Sequence, residues 1–218
     1  MRKLCVGSLI VSAVLMFVCP AFPAGDKTAR NADQILRAMK ENGKNLKSFT
    51  AKFAKLKQTN MPAKLLFSEG KVCFEDSGKL LIEITGALPM KLLLSDNRLT
   101  MYYPDLHKIE KTYVGTSIIR KYFGIGEPLE KLKQKYNVRL VSPQSSDDAY
   151  HLQFIPRKKY ILEYISFLNI IVNSQNWLPS QIEFRTANGD YTTLGLQFLS
   201  INEPVPPAVF RIELPENK

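Results

Sequence analysis

Apolar residues recur at every second position over most of the chain from Ser48 onward, in short runs separated by Gly, Pro, Asn and Asp. This alternation is typical of β-strands with one buried face. Two pairs, Asp96-Asn97 and Asn188-Gly189, tolerate a positive φ and predict tight hairpin turns. About ten or eleven strands follow in this way, the last over 210–214. We therefore predict one large, curved antiparallel sheet rather than two packed domains.

Helices are predicted only at the start and in the middle of this pattern. Asn31, followed three positions later by Gln34, is a capping-box signature. The apolar residues after it repeat with a period near 3.6 and share one face: Ala32, Ile35, Leu36, Met39 and Leu46. Residues 116–123 and 128–136 also have helical spacing. The fold class is thus α+β and mainly β.

The first 24 residues have the order of a secretory signal peptide. A basic start precedes an apolar run over 4–18, and Pro and small residues follow it. A membrane-spanning helix would need about 18 to 20 apolar residues. We predict cleavage after Ala21 or Ala24, which leaves residues 25–218 as a single domain. Only Cys73 then remains of the three cysteines, so no intrachain disulfide forms and the thiol is expected to be a small core residue.

The chain is strongly basic, with 30 Lys and Arg against 20 Asp and Glu and a formal net charge of +10. In an exported protein this excess is not directed at nucleic acid. It suits anionic membrane surfaces or acidic partner proteins, or it is a solvated Lys-rich surface without a specific role.

Residues that could carry out catalysis or bind a metal do not form a recognisable motif. His107 and His151 lack metal-ligand spacing, and Gly124 and Gly126 form an isolated GxG. We therefore expect no catalytic residues, no metal, no cofactor and no enzymatic activity.

Several predicted strands carry bulky apolar residues on both faces: 80–82, 92–94, 101–103 and 160–162. A sheet with one solvated face should alternate cleanly, so something must cover the second face. Either the helices of the chain cover it or it forms a cavity for an apolar ligand. The pattern does not distinguish the two.

The order of short motifs along nearly the whole mature chain resembles the LolA family of periplasmic outer-membrane lipoprotein carriers. The resemblance lies in 46–53, 70–74 with the following 80–84, 92–98, 101–103, 178–184, 188–192 and 210–215. It implies an incomplete antiparallel β-barrel of about eleven strands under a lid made by the N-terminal and central helices. One departure is Asp76, which lies where well-known carriers place an arginine that latches the lid.

The resemblance also implies a function. Such a carrier is a periplasmic monomer that accepts acylated lipoproteins from an inner-membrane lipoprotein-releasing ABC transporter. It hides their acyl chains in a hydrophobic cavity and delivers them to an outer-membrane lipoprotein receptor. Three alternatives stay open: a carrier of another lipid or glycolipid, a receptor or envelope-sensor domain of the same fold, and a plain interaction domain with a filled core.

Candidate lipid-binding residues follow from the faces of the predicted elements. From the helices we select Ile35, Leu36, Met39, Ile118, Ile119 and Phe123, which would point into the cavity or simply pack on the sheet. From the strands we select Leu80, Ile82, Ile84, Leu92, Leu94 and Met101. A shift of one residue in the register of 90–103 would replace the last three with Leu93 and Tyr102.

Overall fold

The computed structural model describes residues 31–86, 88–113, 129–141 and 148–212, with side chains from 131 onward in the third range. These residues form one sheet of eleven strands and three helices. The helices are α1 (Ala32–Lys44), α2 (Leu129–Lys135) and the single turn α3 (Lys159–Leu162). The strands are β1 (Ser48–Thr59), β2 (Lys64–Glu75), β3 (Lys79–Thr85), β4 (Met90–Ser95), β5 (Arg98–Tyr103), β6 (Lys108–Tyr113), β7 (Tyr136–Leu140), β8 (Ala149–Pro156), β9 (Ile165–Asn173), β10 (Pro179–Thr186) and β11 (Tyr191–Ile201).

The sheet is antiparallel and open. Its order is β6-β5-β4-β3-β2-β1-β11-β10-β9-β8-β7, so each half is a meander of sequence neighbours. The two halves are joined where β1 pairs with β11, over a register that runs from Phe49 opposite Ile201 to Gln58 opposite Tyr191. The predicted fold class, mainly β with an unclosed sheet of about eleven strands, is confirmed.

The predicted capping box begins α1. The Asn31 side chain accepts a hydrogen bond from the backbone N–H of Gln34 at 2.9 Å, and the Gln34 side chain accepts one from the backbone N–H of Asn31 at 2.9 Å. Two of the donors that a helix N-terminus leaves without a partner are thereby satisfied.

The predicted hairpin turns also form. Asp96 and Asn97 have φ values of 52° and 59° between β4 and β5, and Gly189 has a φ of 91° between β10 and β11. Two successive residues with positive φ match the right-handed twist of the flanking strands, which is why Asp-Asn is favoured there.

The two faces of the sheet are covered by different parts of the chain. On the face that we call the helix face, Ile35 and Leu36 of α1 pack with Leu152, Phe154 and Val172 of β8 and β9. On the opposite face, which we call the tail face, Cys73 and Leu81 pack with Phe210 from a 3₁₀ helix, Pro207–Phe210. The second apolar face of β2 to β4 is therefore covered by the C-terminal segment.

Two predicted elements differ from the observed ones. A strand was expected over 210–214, but Phe210 ends the 3₁₀ helix, and 213–218 lie outside the described residues. Pro206 and Pro207 lack the N–H donors that a sheet ladder requires, so this segment packs on the sheet through side chains. Residues 160–162 were expected to be extended, but they belong to α3.

No helix in the described ranges has the length and apolar character needed to cross a membrane.

Candidate functional site

The strand register places the six candidate strand residues on one face. Leu80 lies opposite Leu94, Ile82 opposite Leu92 and Ile84 opposite Met90, and Leu92 lies in turn opposite Met101. Directly opposed residues point to the same side of a sheet. This is the helix face, whereas Leu93 and Tyr102 lie on the tail face. The register thus puts Leu92, Leu94 and Met101 on the same face as Leu80, Ile82 and Ile84.

Exposure changes along this set of residues. Leu80 and Leu94, near the β2–β3 and β4–β5 turns, are buried together with Phe53, Val72 and Phe74. The remaining residues are only half-buried, and we call them the open strip: Ile82, Ile84, Met90, Leu92 and Met101. Ile82 and Ile84 also pack against that buried cluster. A row of partly exposed apolar side chains on three adjacent strands can accept an apolar ligand on its uncovered side.

The candidate residues of α1 lie elsewhere on the helix face. Ile35 is fully buried and Leu36 is 5% exposed, and Met39 packs against the same cluster on β7 to β9. Strands β2, β1, β11 and β10 separate this cluster from the open strip in the sheet. The structure therefore does not bring α1 and the strand candidates together, and Ile35 and Leu36 serve the core.

The other helical candidates, Ile118, Ile119 and Phe123, lie outside the described residues. The second predicted helix of the middle region is present as α2, and Leu132 packs against the α1 cluster. An ion pair joins the two helices, with 2.5 Å between Lys133 Nζ and Asp33 Oδ2.

Sequence reasoning missed residues from the far half of the chain. Leu194 and Leu196 of β11 pack against the cluster of Phe53 and Leu80, as does Leu46 after α1. The alternation of apolar residues along β11 indicated that one face of this strand is buried. The pairing of β1 with β11, across more than 130 residues of sequence, has no local signal.

A cavity of about 480 Å³ lies on the tail face, between the β4–β5 hairpin and the C-terminal segment. Its lining is mostly polar and includes Ser95, Asp96, Arg98, Thr100 and Lys111 beside Leu93 and Phe210. It does not touch the open strip. An acyl chain is better matched by the open strip than by this polar hollow.

Asp76, at the position of the latch arginine in the family that the chain resembles, is exposed in the β2–β3 turn. Its backbone N–H donates to the carbonyl of Lys47 at 2.8 Å. This bond ties the turn to the chain just before β1 and involves no carboxylate.

One ion pair ties the β1–β2 hairpin to the β10–β11 connection. Lys57 Nζ lies 2.8 Å from Asp190 Oδ2, and the backbone N–H of Asn60 donates to Asp190 Oδ1 at 2.9 Å. Two hydrogen bonds hold the pKa of the Asp190 carboxyl below its ordinary value. The one from Lys57 has the larger effect and the one from the Asn60 backbone the smaller.

We expect Asp190→Asn to unfold at a lower urea midpoint than the wild type at pH 7. The difference between the two urea midpoints should become smaller as the pH falls. Because the folded-state pKa of Asp190 is depressed, its contribution is present above the unfolded pKa of about 3.9 and is lost as the pH falls through the folded value. Urea titrations at pH 7 and near pH 2 measure this. Asp105→Asn, which changes an exposed carboxyl in the β5–β6 turn, is the control. An equal loss at both pH values would contradict the prediction.

Across the described ranges, no group of three or more His, Cys, Asp or Glu residues is placed to hold a metal ion.

Comparison with known proteins identifies the fold. No protein-family model and no curated protein matches the sequence. Among solved structures, MucB is similar with a TM-score of 0.52 and 13% identity over 84% of this chain, which spans 62% of the MucB chain. The MucA/MucB complex of Pseudomonas aeruginosa gives a TM-score of 0.50 and 13% identity, with 82% of this chain and 60% of that chain covered. A LolA superfamily protein from Nitrosomonas europaea matches with a TM-score of 0.37 and 13% identity, over 81% of this chain and 97% of that one. The two MucB likenesses show a shared fold.

Proposed function

We propose that the protein is a periplasmic carrier that holds the acyl chains of lipoproteins against the open strip and moves them from the inner to the outer membrane. The observation that carries this proposal is the row of partly exposed apolar side chains on the helix face of an unclosed sheet. The role is binding and delivery without catalysis.

The energetics of acyl binding suit a shallow site. Burying one methylene gains roughly 0.8 kcal/mol, so full burial of several long chains would approach the practical limit of non-covalent affinity. A carrier must also release its cargo. Side chains such as Ile82 and Leu92, which are half-covered in the folded protein, offer partial burial and so permit release.

The partners in this proposal are acylated lipoproteins, an inner-membrane lipoprotein-releasing ABC transporter and an outer-membrane lipoprotein receptor. The solved MucB structure in complex with MucA is an example of a protein partner bound to a related fold. In this proposal the acyl group of the cargo provides the binding affinity. Contacts with the transporter and with the receptor determine the direction of transfer.

A titration with a fluorescent triacylated lipopeptide tests the proposal. The protein is expressed from its full gene and purified from the cell envelope. We expect saturable binding near one to one and displacement by unlabelled lipopeptide, with no response to the same peptide without acyl chains. Absence of saturable acyl binding, or equal binding of the unacylated peptide, would exclude the carrier role.

A further inference from the structure

Exposed apolar side chains are concentrated at one end of the sheet. Because the strands are antiparallel, the β1–β2, β3–β4, β5–β6, β8–β9 and β10–β11 connections all lie at this end, which we call the rim. Ten of the thirteen exposed large hydrophobic residues in the described ranges lie at or beside it. The most prominent are Met61, at 89% exposed, residues 65–67, and Tyr160 and Tyr164 of the β8–β9 connection. Leu88 in the β3–β4 connection and Leu106 in the β5–β6 connection are also exposed at the rim.

The central part of the rim is held together by hydrogen bonds between separate connections. The backbone N–H of Ala187 donates to the carbonyl of Tyr164 at 3.2 Å, which joins β8–β9 to β10–β11. The Asn60 side chain donates to the carbonyl of Asn188 at 3.0 Å, which joins β10–β11 to β1–β2. The β8–β9, β10–β11 and β1–β2 connections therefore lie side by side.

Basic side chains lie beside the apolar ones. Arg157, Lys158 and Lys159 are consecutive and exposed immediately before Tyr160, and Lys64 is exposed next to residues 65–67. In and beside the same connections the exposed acidic residues are Glu69, Asp105 and Glu163, among the described residues. The rim combines exposed apolar groups with an excess of positive charge.

We propose that this rim docks the protein on the surface of an anionic phospholipid bilayer. Apolar side chains that enter the boundary between headgroups and acyl chains, together with lysines that remain among the headgroups, give reversible membrane binding. Large exposed apolar groups on a folded protein are costly unless they are used in this way or in a protein interface. The adjacent cations distinguish a lipid surface from an apolar protein groove.

Vesicle flotation tests the proposal with two paired variants. Leu65→Ser with Phe67→Ser removes apolar contacts, and Lys158→Glu with Lys159→Glu reverses charge. All four side chains are exposed, so the fold is retained. The matched control is Tyr113→Ser with Leu199→Ser, which removes two exposed apolar side chains near the opposite end of β6 and β11.

We expect the wild type to bind phosphatidylcholine vesicles containing about 30% phosphatidylglycerol at least about tenfold more tightly than pure phosphatidylcholine at low salt. Each rim pair should lower this binding about tenfold, and the control pair should leave it unchanged. Equal binding to neutral vesicles would overturn the proposal, and so would rim variants that bind like the wild type. Residues 64–68 of β2 pair with β1 but extend beyond the β2–β3 pairing, which starts at Glu69. A protein partner that adds a strand at this free edge would then be the better explanation.

Failure of this proposal is distinguishable from failure of the carrier proposal. The rim variants should keep full affinity for a soluble lipopeptide, because the open strip is unchanged. Ile82→Glu should lose lipopeptide affinity while still floating with anionic vesicles. If Ile82→Glu abolishes vesicle binding instead, the rim is not the membrane contact.

Discussion

Replacement of Ile82 by Glu is expected to lower the affinity for acylated peptide by about 100-fold or more while leaving the protein folded. Ile82 is half-buried at the centre of the open strip, between Val72 on β2 and Leu92 on β4. A carboxylate placed under an acyl chain must lose its hydration without a partner, or take up a proton, and either change costs several kcal/mol of binding free energy.

The same substitution on the other face of the sheet is the matched control. Ile171 is also half-buried in an internal strand, but it lies on the tail face opposite His151 and Gln181. Ile171→Glu should keep lipopeptide affinity within about twofold, and both variants should lose no more than about 2 kcal/mol of unfolding free energy. Fluorescence titration and urea unfolding measure the two quantities. Equal affinity losses in both variants would show that the open strip is not the binding surface.

Replacement of Gly70 by Ala is expected to lower the free energy of unfolding by about 3 kcal/mol or to prevent folding. A Cβ atom on Gly70 would lie 1.8 Å from the carbonyl oxygen of Glu83 on β3 and 2.7 Å from Cε1 of the Phe53 ring. The ring could move, but Glu83 contributes a backbone atom of the neighbouring strand. The methyl group would therefore push β2 and β3 apart beneath the open strip.

Gly43→Ala provides the comparison for this prediction. A Cβ on Gly43, near the end of α1, would meet nothing within 4 Å. Alanine is the better helix former by up to about 1 kcal/mol, so this variant should be as stable as the wild type or more stable. Urea unfolding midpoints of the two variants and the wild type measure these changes in stability. A small loss in Gly70→Ala would mean that β3 can shift at Glu83 without cost.

Local patterns in the sequence were sufficient for most of the architecture. The α1 boundary could be predicted because both members of the capping box are present within four residues. The β4–β5 turn could be predicted because Asp96 and Asn97 tolerate positive φ. The single open sheet follows from a long series of alternating runs with short connections. Each of these features depends on interactions between residues close together in the chain.

The candidate site was only partly predictable from the sequence. The alternation of apolar residues identified Leu80, Ile82 and Ile84 as one face, and the structure keeps them together. The same reasoning grouped Ile35 and Leu36 with them, but α1 packs on β8 and β9, several strands away. An amphipathic helix reveals which of its faces is buried, but it does not reveal which part of a sheet will bury it.

The sequence by itself determined the strands, the turns and the apolar faces, since these depend on side-chain period and local backbone preference. Only the tertiary structure decided what covers each face, because that depends on contacts between distant segments. The pairing of β1 with β11 brings Leu194 and Leu196 to Phe53, and the C-terminal segment places Phe210 over Leu81. The rim likewise exists only once the sheet has formed, because strand pairing is what brings the β8–β9 connection, with its basic and apolar residues, to the same end as residues 61–67.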